Sequence, residues 1–403
     1  MRHITRPLLI SLIAFVVVAA SAWTVVQAQA PAPPSWKQGQ PDARKDSSLS
    51  PHAQPPAAKA ASEIPVAKIK VPPGFKVELW ASGIPNARVM TWGSKGTLFV
   101  SSRVAGNVYA IVDKGGAREV KTIAKGLKLP NGVAFRDGSL YIAEISRITR
   151  LDGIEDKLDN PPAAVVVYDK LPTDEPHGWK HLAFGPDGKL YFNIGAPCNY
   201  CMPPETHANL SRINKDGTGL ETFVRGVRNS VGFDWHPVTK ELYFTMHARD
   251  WLGDDLPNDG FYHAPKAGAH YGYPYCHQGD LLDPEFGKGR SCNEFTPPIL
   301  KTGPHVAGNG VMFYTGSQFP AEYKNRVFLA QRGSWNRTAK TGYVVMTVDV
   351  NGSKVSNYKV FAEGWKQGEQ FWGRPVYTTQ MKDGSILISD DYAGAIFRVS
   401  YGR

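Results

Sequence analysis

Helical periodicity is scarce in this sequence, and so are cysteines and long apolar runs. The 403 residues include only four cysteines but 40 glycines and 31 prolines, a composition typical of a chain with many turns. After the first 30 residues, no stretch is long and apolar enough to span a membrane. The recurring short β-type runs described below therefore favour an all-β fold.

The N-terminal 30 residues have the features of a secretory signal. Arg2 and Arg6 precede an apolar stretch from Leu8 to Ala20, and small residues around Ala28 suit a cleavage site. We expect a periplasmic or secreted protein, with an uncleaved membrane anchor as the alternative. Residues 31–70 are rich in Pro, Ala, Ser and Gln and predict a disordered tether, so the folded domain is expected over residues 71–403.

The net charge of +10 does not form a clear basic stripe, and we predict no nucleic-acid binding. A basic funnel for an anionic cofactor or partner would use the same charges. Cys198 and Cys201 form a Cys-x-x-Cys motif, but Met202 stands where c-type haem attachment needs histidine. Zinc would need two more close ligands. We favour two disulfides, 198–201 and 276–292 (Cys276 and Cys292), although the sequence does not fix the pairing.

One short unit recurs along the chain. An apolar or aromatic residue leads into a Gly-containing polar turn, and a β run follows, as in "FRDGSLYIAE" and "FGPDGKLYFNIG". Asp-Gly supplies the positive φ that a tight hairpin needs. The β runs are roughly 40–60 residues apart with one longer gap, a spacing typical of propeller blades. They begin near Leu98, Leu140, Leu190, Leu242, Val327 and Ile386.

Six repeats predict a six-bladed β-propeller. A β-sandwich, or two smaller β domains, is the alternative, but neither explains the recurring turn and strand. The longer gap, from Ala248 to Lys301, predicts a long loop insertion between blades four and five. Long loops on a rigid propeller usually carry function.

Several polar residues fall in the loops beside the predicted strands. His177 precedes the hairpin "LAFGPDGKLYFNIG", where it could act as a general base near neutral pH; the alternative is a histidine with a purely structural hydrogen bond. Arg228 and Asn229 precede the next blade, Arg332 follows the fifth β run, and Arg374 precedes the sixth. Arginines gathered from separate blades need a multiply anionic ligand, unless each forms a solvated salt bridge.

Over residues 71–403 the chain resembles the glucose/sorbosone dehydrogenase family, and within it the L-sorbosone dehydrogenase-like branch. These are periplasmic enzymes that use pyrroloquinoline quinone (PQQ) on a six-bladed propeller. The motifs that carry the resemblance are "LPNGVAF", "HGWKHLAFGPDGKLYF", "GVRNSVGFDWHP", "RDWLGDDLPND", "GAHYGYPYCH", "GNGVMFYTG", "GSWNR" and "SDDYAGAIFRVSY".

The resemblance implies a role for individual residues. His177 would be the base that takes a proton from the substrate hydroxyl while hydride passes to the quinone. The substrate would be a small sugar or aldehyde, and electrons would pass to a respiratory acceptor, cytochrome c or a quinone. A Ca²⁺ beside PQQ would be held by the backbone carbonyls of Ala248 and Arg249, near Asp250 and Asp259. Residues implied to bind PQQ are Asn131, Arg228, Asn229, Arg332 and Arg374.

Three positions depart from the glucose-oxidising branch. Pro176 stands where an Asp precedes the histidine, Val376 replaces a second arginine, and an acidic pair is reduced to Asp259-Gly260. Two other functions therefore stay open from the residues. One is a calcium-dependent propeller hydrolase acting, for example, on lactones; the other is a propeller that binds a partner without catalysis.

Overall fold

The computed structural model describes residues 57–402, which are mostly β-strands and turns. Within that range the helices are single 3-10 turns: Ala61–Glu63, Val66–Lys68, Ile154–Asp156, Cys292–Glu294 and Ala321–Tyr323. The predicted all-β class is therefore confirmed. In the same range, no helix has the length and apolar character needed to cross a bilayer.

The strands of the described range are numbered in chain order. They are β1 Phe75–Ser82, β2 Ala87–Trp92, β3 Leu98–Ser102, β4 Asn107–Lys114, β5 Ala117–Ala124, β6 Gly132–Arg136, β7 Ser139–Ala143, β8 Ile148–Asp152, β9 Val165–Tyr168, β10 Leu182–Phe184, β11 Leu190–Ile194, β12 Asn209–Ile213, β13 Glu221–Arg225, β14 Phe233–Trp235, β15 Leu242–Met246, β16 Asn258–Ala264, β17 Cys276–His277, β18 Leu281–Leu282, β19 Leu300–Pro304, β20 Gly308–Phe313, β21 Val327–Gln331, β22 Val344–Asn351, β23 Lys354–Ala362, β24 Lys366–Gln367, β25 Gln370–Phe371, β26 Pro375–Gln380, β27 Ile386–Asp390 and β28 Ala395–Tyr401.

These strands form six antiparallel four-stranded sheets, the blades, and two small hairpins, β17–β18 and β24–β25. Blades 1, 2 and 3 are β2–β5, β6–β9 and β10–β13; blade 4 is β14–β16 with β19; blade 5 is β20–β23; blade 6 is β26–β28 with β1. The first strand of a blade contacts the first strands of its neighbours, as β2 does with β6 and β26. The predicted six-bladed propeller is confirmed.

The ring is closed by strand pairing between the two ends of the described chain. β1 pairs with β28 in antiparallel register, from Phe75 opposite Tyr401 to Ser82 opposite Ala395. Blade 6 therefore contains the first strand and the last three strands, and backbone hydrogen bonds between β1 and β28 close the circle.

The recurring β runs form the second strand of every blade. Their first residues, such as Leu98 in β3 and Leu190 in β11, are completely buried, because these strands pack between neighbouring blades. The turn chemistry also holds in blade 2, where Arg136 pairs with Ser139. The two residues between them, Asp137 and Gly138, have φ of 50° and 79°, as a two-residue type I′ turn requires.

The long insertion predicted between blades four and five lies inside blade 4 instead. The span from Ala248 to Lys301 contains β16, the third strand of that blade, and the extra length falls mainly between β16 and β19. This part carries the hairpin β17–β18 and is closed by a disulfide between Cys276 and Cys292. The spacing between second strands lengthens equally for an insertion within or between blades, so the sequence repeat did not separate the two cases.

The end of the predicted tether is folded onto the propeller. Ile64 and Ile69 are buried in the core cluster that contains Trp365. The backbone N–H of Lys59 donates to the carbonyl of Ala393 at 2.9 Å. Buried isoleucines and backbone hydrogen bonds thus dock residues 57–70 on the propeller. The predicted signal at 1–30, and the tether up to residue 56, lie outside the described residues.

Candidate functional site

A cavity of about 550 Å³ lies at one end of the ring. In each blade, the loop that leads into the first strand and the loop that joins the second to the third strand lie at the same end, because the strands are antiparallel. Loops of both kinds line the cavity. Their residues are Arg88, Arg103, Glu175, Pro176, His177, Trp179, Asn199, Arg228, Asn229, His247, Ala248, Asp250, Asp259, His305, Ala307, Asn309, Arg332, Trp335, Asn336 and Arg374.

Most of the predicted site residues meet in this cavity. His177, Arg228, Asn229, Arg332 and Arg374 all line it. They come from blades 3, 4, 5 and 6, and residues up to roughly 200 positions apart in the chain share one wall.

One residue that was predicted to bind the cofactor, Asn131, does not line the cavity. The side chain of Asn131 is buried behind the cavity, where its Oδ1 accepts from Nε of Arg88 at 2.9 Å and its Nδ2 donates to the carbonyl of Lys180 at 2.8 Å. For Arg249 the prediction concerns the backbone carbonyl, which the position of its side chain does not test; the guanidinium pairs with Asp283 at 2.6 Å. Asn131 can therefore act on a ligand only by positioning Arg88.

The backbone around His177 sets the tautomer of its imidazole. His177 has a φ of 50°, and its Nδ1 lies 2.8 Å from the carbonyl oxygen of Ala196. A carbonyl accepts but does not donate, so Nδ1 carries the hydrogen and Nε2 carries the lone pair in the neutral ring. Gly195 permits this approach, because a Cβ there would lie 2.5 Å from the Cβ of His177.

Three arginines share the carboxylate of Asp391. Its Oδ2 accepts from Nη1 of Arg88 at 2.8 Å and from Nε of Arg332 at 2.7 Å, and its Oδ1 accepts from Nε of Arg374 at 3.1 Å. Burial raises the pKa of Asp391, but the three arginines outweigh it and hold that pKa well below its usual value. The charge of Asp391 alone therefore does not balance the three guanidinium groups that share it.

Arg88 and Arg103 were not predicted. Arg88 is the second residue of the first strand of blade 1, and Arg103 follows the second strand of the same blade. Arg374 and Arg332 occupy similar positions in blades 6 and 5. The expectation that polar residues beside these strands meet at one end of the ring, applied also to blade 1, would therefore have identified Arg88 and Arg103. Burial, and then the charges of Arg332 and Arg374 against the attraction of Asp391, lower the pKa of Arg88 to about 10.

Arg228 is held by the loop between the cysteines of the Cys-x-x-Cys motif. Cys198 and Cys201 form a disulfide, and Asn199 lies between them. The carbonyl and the Oδ1 of Asn199 each accept from the Arg228 guanidinium at 2.8 Å. The same guanidinium donates to the carbonyl of Ala248 at 2.7 Å. The motif is therefore structural, and both favoured disulfides are present.

Asn229 presents an unsatisfied acceptor. Nε2 of His247 lies 2.8 Å from the carbonyl of Gly308, so Nδ1 of His247 must accept, and Asn229 Nδ2 donates to it at 3.2 Å. The Oδ1 of Asn229 is buried and has no hydrogen-bond partner among residues 57–402, and the same holds for Oδ1 of Asn309. Such acceptors indicate a ligand with N–H or O–H donors.

The acidic side of the cavity is already hydrogen-bonded. Asp259 accepts from the backbone N–H of Ala248 and of Ala307, each at 2.8 Å. Asp250 accepts from Asn336 at 2.5 Å and from Arg228 at 3.1 Å. In the described part of the chain, no group of three or more His, Cys, Asp or Glu residues is arranged to hold a metal. A cation here would have to share oxygens with Arg228 and Asn336.

Comparisons with known proteins agree with this architecture. Residues 144–336 match the family described as Glucose / Sorbosone dehydrogenase. An uncharacterized protein of Borreliella burgdorferi is 34% identical over 360 residues, which cover 85% of this chain and 93% of that protein.

Three solved structures show the fold. The calcium structure of a Trichoderma reesei enzyme of carbohydrate-active family AA12 is 18% identical, with a TM-score of 0.73 over 84% of this chain and 98% of that one. The holo pyranose dehydrogenase PQQ domain of Coprinopsis cinerea is 16% identical, with a TM-score of 0.69 over 82% of this chain and 97% of that one. The PQQ-bound aldose sugar dehydrogenase of Streptomyces coelicolor is 18% identical, with a TM-score of 0.60 over 82% of this chain and 99% of that one. These structures share the fold of this chain, and the family match over residues 144–336 identifies the chain as a member of the glucose/sorbosone dehydrogenase family.

Proposed function

We propose that this protein is a PQQ-dependent dehydrogenase that oxidises a hydroxyl or hydrated aldehyde of a sugar-like substrate. The observation that carries the proposal is the meeting of His177, with its Nδ1 hydrogen-bonded to Ala196, and a cationic arginine cluster in one cavity. The names of two similar structures, a pyranose dehydrogenase PQQ domain and a PQQ-bound aldose sugar dehydrogenase, support the cofactor class.

The cavity fits PQQ in charge and size. PQQ carries three carboxylates, and arginine is suited to bidentate carboxylate binding. Arg88, Arg332 and Arg374 share the negative charge of Asp391. Val376 occupies a position that is arginine in the glucose-oxidising branch. Arg88 supplies an additional guanidinium to the cluster around Asp391. The cavity volume of about 550 Å³ lies in the usual range of a few hundred to 1,000 Å³ for ligand sites.

His177 supplies the acid–base chemistry of the proposed reaction. When bound, PQQ supplies the hydride acceptor. Nε2 of His177 would take the proton of the substrate hydroxyl, and the carbonyl of Ala196 would stabilise the imidazolium through the Nδ1 hydrogen bond. The arginines would orient the cofactor, and Asn229 Oδ1 would accept one of its donors.

Calcium is the second component of the proposal. The Ala248 and Arg249 carbonyls, with Asp250 and Asp259, remain the proposed ligands, since hard oxygen atoms suit Ca²⁺. Arg228 already donates to the Ala248 carbonyl and to Asp250, so the protein oxygens fit an ion only if it shares them.

We further propose export, a sorbosone-like or aldose-like substrate, and electron transfer to a respiratory acceptor, cytochrome c or a quinone. The two disulfides support an oxidising compartment. The hydrolase alternative is disfavoured because such a site needs several carboxylates converging on the metal, whereas Asp250 and Asp259 are engaged by other donors.

Titration of the purified protein with PQQ, with and without Ca²⁺, tests the proposal by calorimetry. We expect stoichiometric binding in the micromolar range or tighter. Arg332→Met should weaken binding about tenfold or more, since a charge-assisted hydrogen bond contributes roughly 1.5–3 kcal/mol. Arg398→Met is the matched control, because Arg398 pairs with Glu78 and Asp383 far from the cavity. Absence of PQQ binding at micromolar concentration would overturn the proposal and favour a non-enzymatic propeller.

A further inference from the structure

Arg103 lines the cavity but forms no ion pair with the Asp391 carboxylate. Its guanidinium carbon lies 4.3 Å from the centre of the Trp179 ring. Among residues 57–402, no carboxylate oxygen lies within 4.0 Å of its nitrogens, and its Nε is buried without a hydrogen-bond partner. A part-buried guanidinium with a bare N–H indicates a missing anion.

Trp179 connects Arg103 to the proposed base. The ring centres of Trp179 and His177 are 6.1 Å apart. Arg103 and His177 therefore contact the same indole. The distance from the Arg103 guanidinium carbon to the centre of the His177 ring cannot exceed the sum of these two distances. Contact with the indole holds the guanidinium in the wall of the cavity that Arg103 lines.

The other arginines of the cavity already have a carboxylate partner, whereas Arg103 has no such partner among residues 57–402. Arg228 pairs with Asp250, and Arg88, Arg332 and Arg374 share Asp391 and face the proposed tricarboxylate. Burial, followed by the neighbouring charges of Arg88 and Arg332, lowers the pKa of Arg103. A positive charge that its surroundings disfavour is stabilised when a second anion binds beside it.

We propose that Arg103 binds an anionic group of the substrate, so that the enzyme acts on a sugar carrying a carboxylate or a phosphate. This inference rests on the proposed function. The oxidation is unchanged: the substrate carbon loses a hydride to the quinone, and its hydroxyl loses a proton to His177. Arg103 contacts the far end of the substrate and takes no part in the proton or hydride transfer.

Calorimetric titrations with glucuronate, glucose 6-phosphate and glucose test the inference on the PQQ-loaded protein. We expect the wild type to bind at least one of the two anions about tenfold or more tightly than glucose. Arg103→Met should remove that preference, with the affinities for glucose and PQQ within about twofold of the wild type. The anion that binds more tightly identifies the group as carboxylate or phosphate.

Arg118→Met is the matched control. Arg118 also stacks on a tryptophan, with its guanidinium carbon 4.7 Å from the Trp80 ring centre, but it lies outside the cavity. This variant should keep the preference for the anions. Equal binding of the three sugars by the wild type would overturn the inference, and so would a loss of PQQ affinity in Arg103→Met, which would assign Arg103 to the cofactor.

The same titrations without PQQ separate this inference from the proposed function. If PQQ does not bind but the sugar anions bind in an Arg103-dependent manner, the anion site stands and the quinoprotein function fails. If PQQ binds but neither anion depends on Arg103, the function stands and the anion site fails.

Discussion

The carbonyl oxygen of Ala196 lies 2.8 Å from Nδ1 of His177 and thereby decides which imidazole nitrogen can accept a proton. Ala196 belongs to the loop after the second strand of blade 3, and His177 belongs to the loop before the first strand. The two loops meet at one end of the ring because β10 and β11 are antiparallel neighbours. The blade itself therefore positions the proposed base.

His177→Ala should reduce kcat by roughly 10²–10⁴-fold, the range that general acid–base catalysis contributes. PQQ affinity should change less than twofold, because the cationic cluster around Asp391 is untouched. Dye-linked oxidation of the substrate measures kcat, and calorimetry measures the PQQ affinity. His207→Ala is the control: His207 bonds Asp174 and does not line the cavity, so its activity should equal the wild type. An active His177→Ala variant would remove the base from the mechanism.

Gly195→Ala should lower activity without changing any group that contacts substrate. A Cβ at this position would lie 2.5 Å from the Cβ of His177 and 2.6 Å from its carbonyl oxygen, so the loop that carries the base must shift. A displacement of about 1 Å can reduce catalysis on the order of 10²-fold. The expected result is a fall in kcat of about tenfold or more with PQQ binding retained.

Gly115→Ala controls for a general loss of stability in that experiment. Gly115 has a φ of 68°, and a Cβ there meets nothing within 4 Å, so this variant tests strain in a hairpin remote from the site. It should lose stability but keep its activity. Equal kcat in Gly195→Ala and the wild type would show that the close approach does not position His177.

The sequence predicted the blades well because each blade repeats a local pattern. The second strands carry apolar runs after Gly turns, and Leu98, Leu190 and Ile386 are completely buried as that pattern requires. The same repeat placed His177, Arg228 and Arg374 in loops at one end of the ring. Local patterns of this kind persist when the chain folds, so they can be found without coordinates.

The features that the sequence did not predict depend on contacts between distant parts of the chain. Arg88 and Asp391 are 303 positions apart and meet only because blade 1 adjoins blade 6. Arg249 is also an arginine, but its guanidinium forms an ion pair with Asp283 in the blade 4 insertion and does not line the cavity. The docking of Ile64 and Ile69 likewise needs the finished core of blades 5 and 6.

Asp391→Asn should destabilise the protein by about 3–5 kcal/mol, because removing one member of a buried ion cluster leaves its partners uncompensated. Three guanidinium groups would then share no carboxylate. Urea unfolding measures the loss. PQQ should raise the unfolding temperature more in this variant than in the wild type, because its carboxylates replace the missing charge.

Asp156→Asn is the control for that prediction. Asp156 pairs with Lys95 on the surface, where both side chains are more than half exposed, so its loss should cost less than about 1 kcal/mol. Similar effects of Asp156→Asn and Asp391→Asn would mean that the arginine cluster does not depend on Asp391.

Lys180 should make stability rise with pH above neutrality. Its side chain is buried beside the proposed base, its Nζ donates to the carbonyl of Gly178, and burial lowers its pKa to about 7. An unfolded lysine has a pKa of about 10.4. Between these values the unfolded chain binds more protons than the folded one, so raising the pH favours the folded state, by at most about 1.4 kcal/mol per pH unit.

Denaturant unfolding of the wild type and Lys180→Met between about pH 7 and pH 10 tests this titration. Methionine fills a similar space without a titrating group, so the stability of the wild type relative to Lys180→Met should increase across that window and level off below it. Lys76→Met, at an exposed position on β1, should give a curve parallel to the wild type. Parallel curves for Lys180→Met and the wild type would show that Lys180 keeps its charge in the folded protein, and the environment of the loop behind His177 would then be polar.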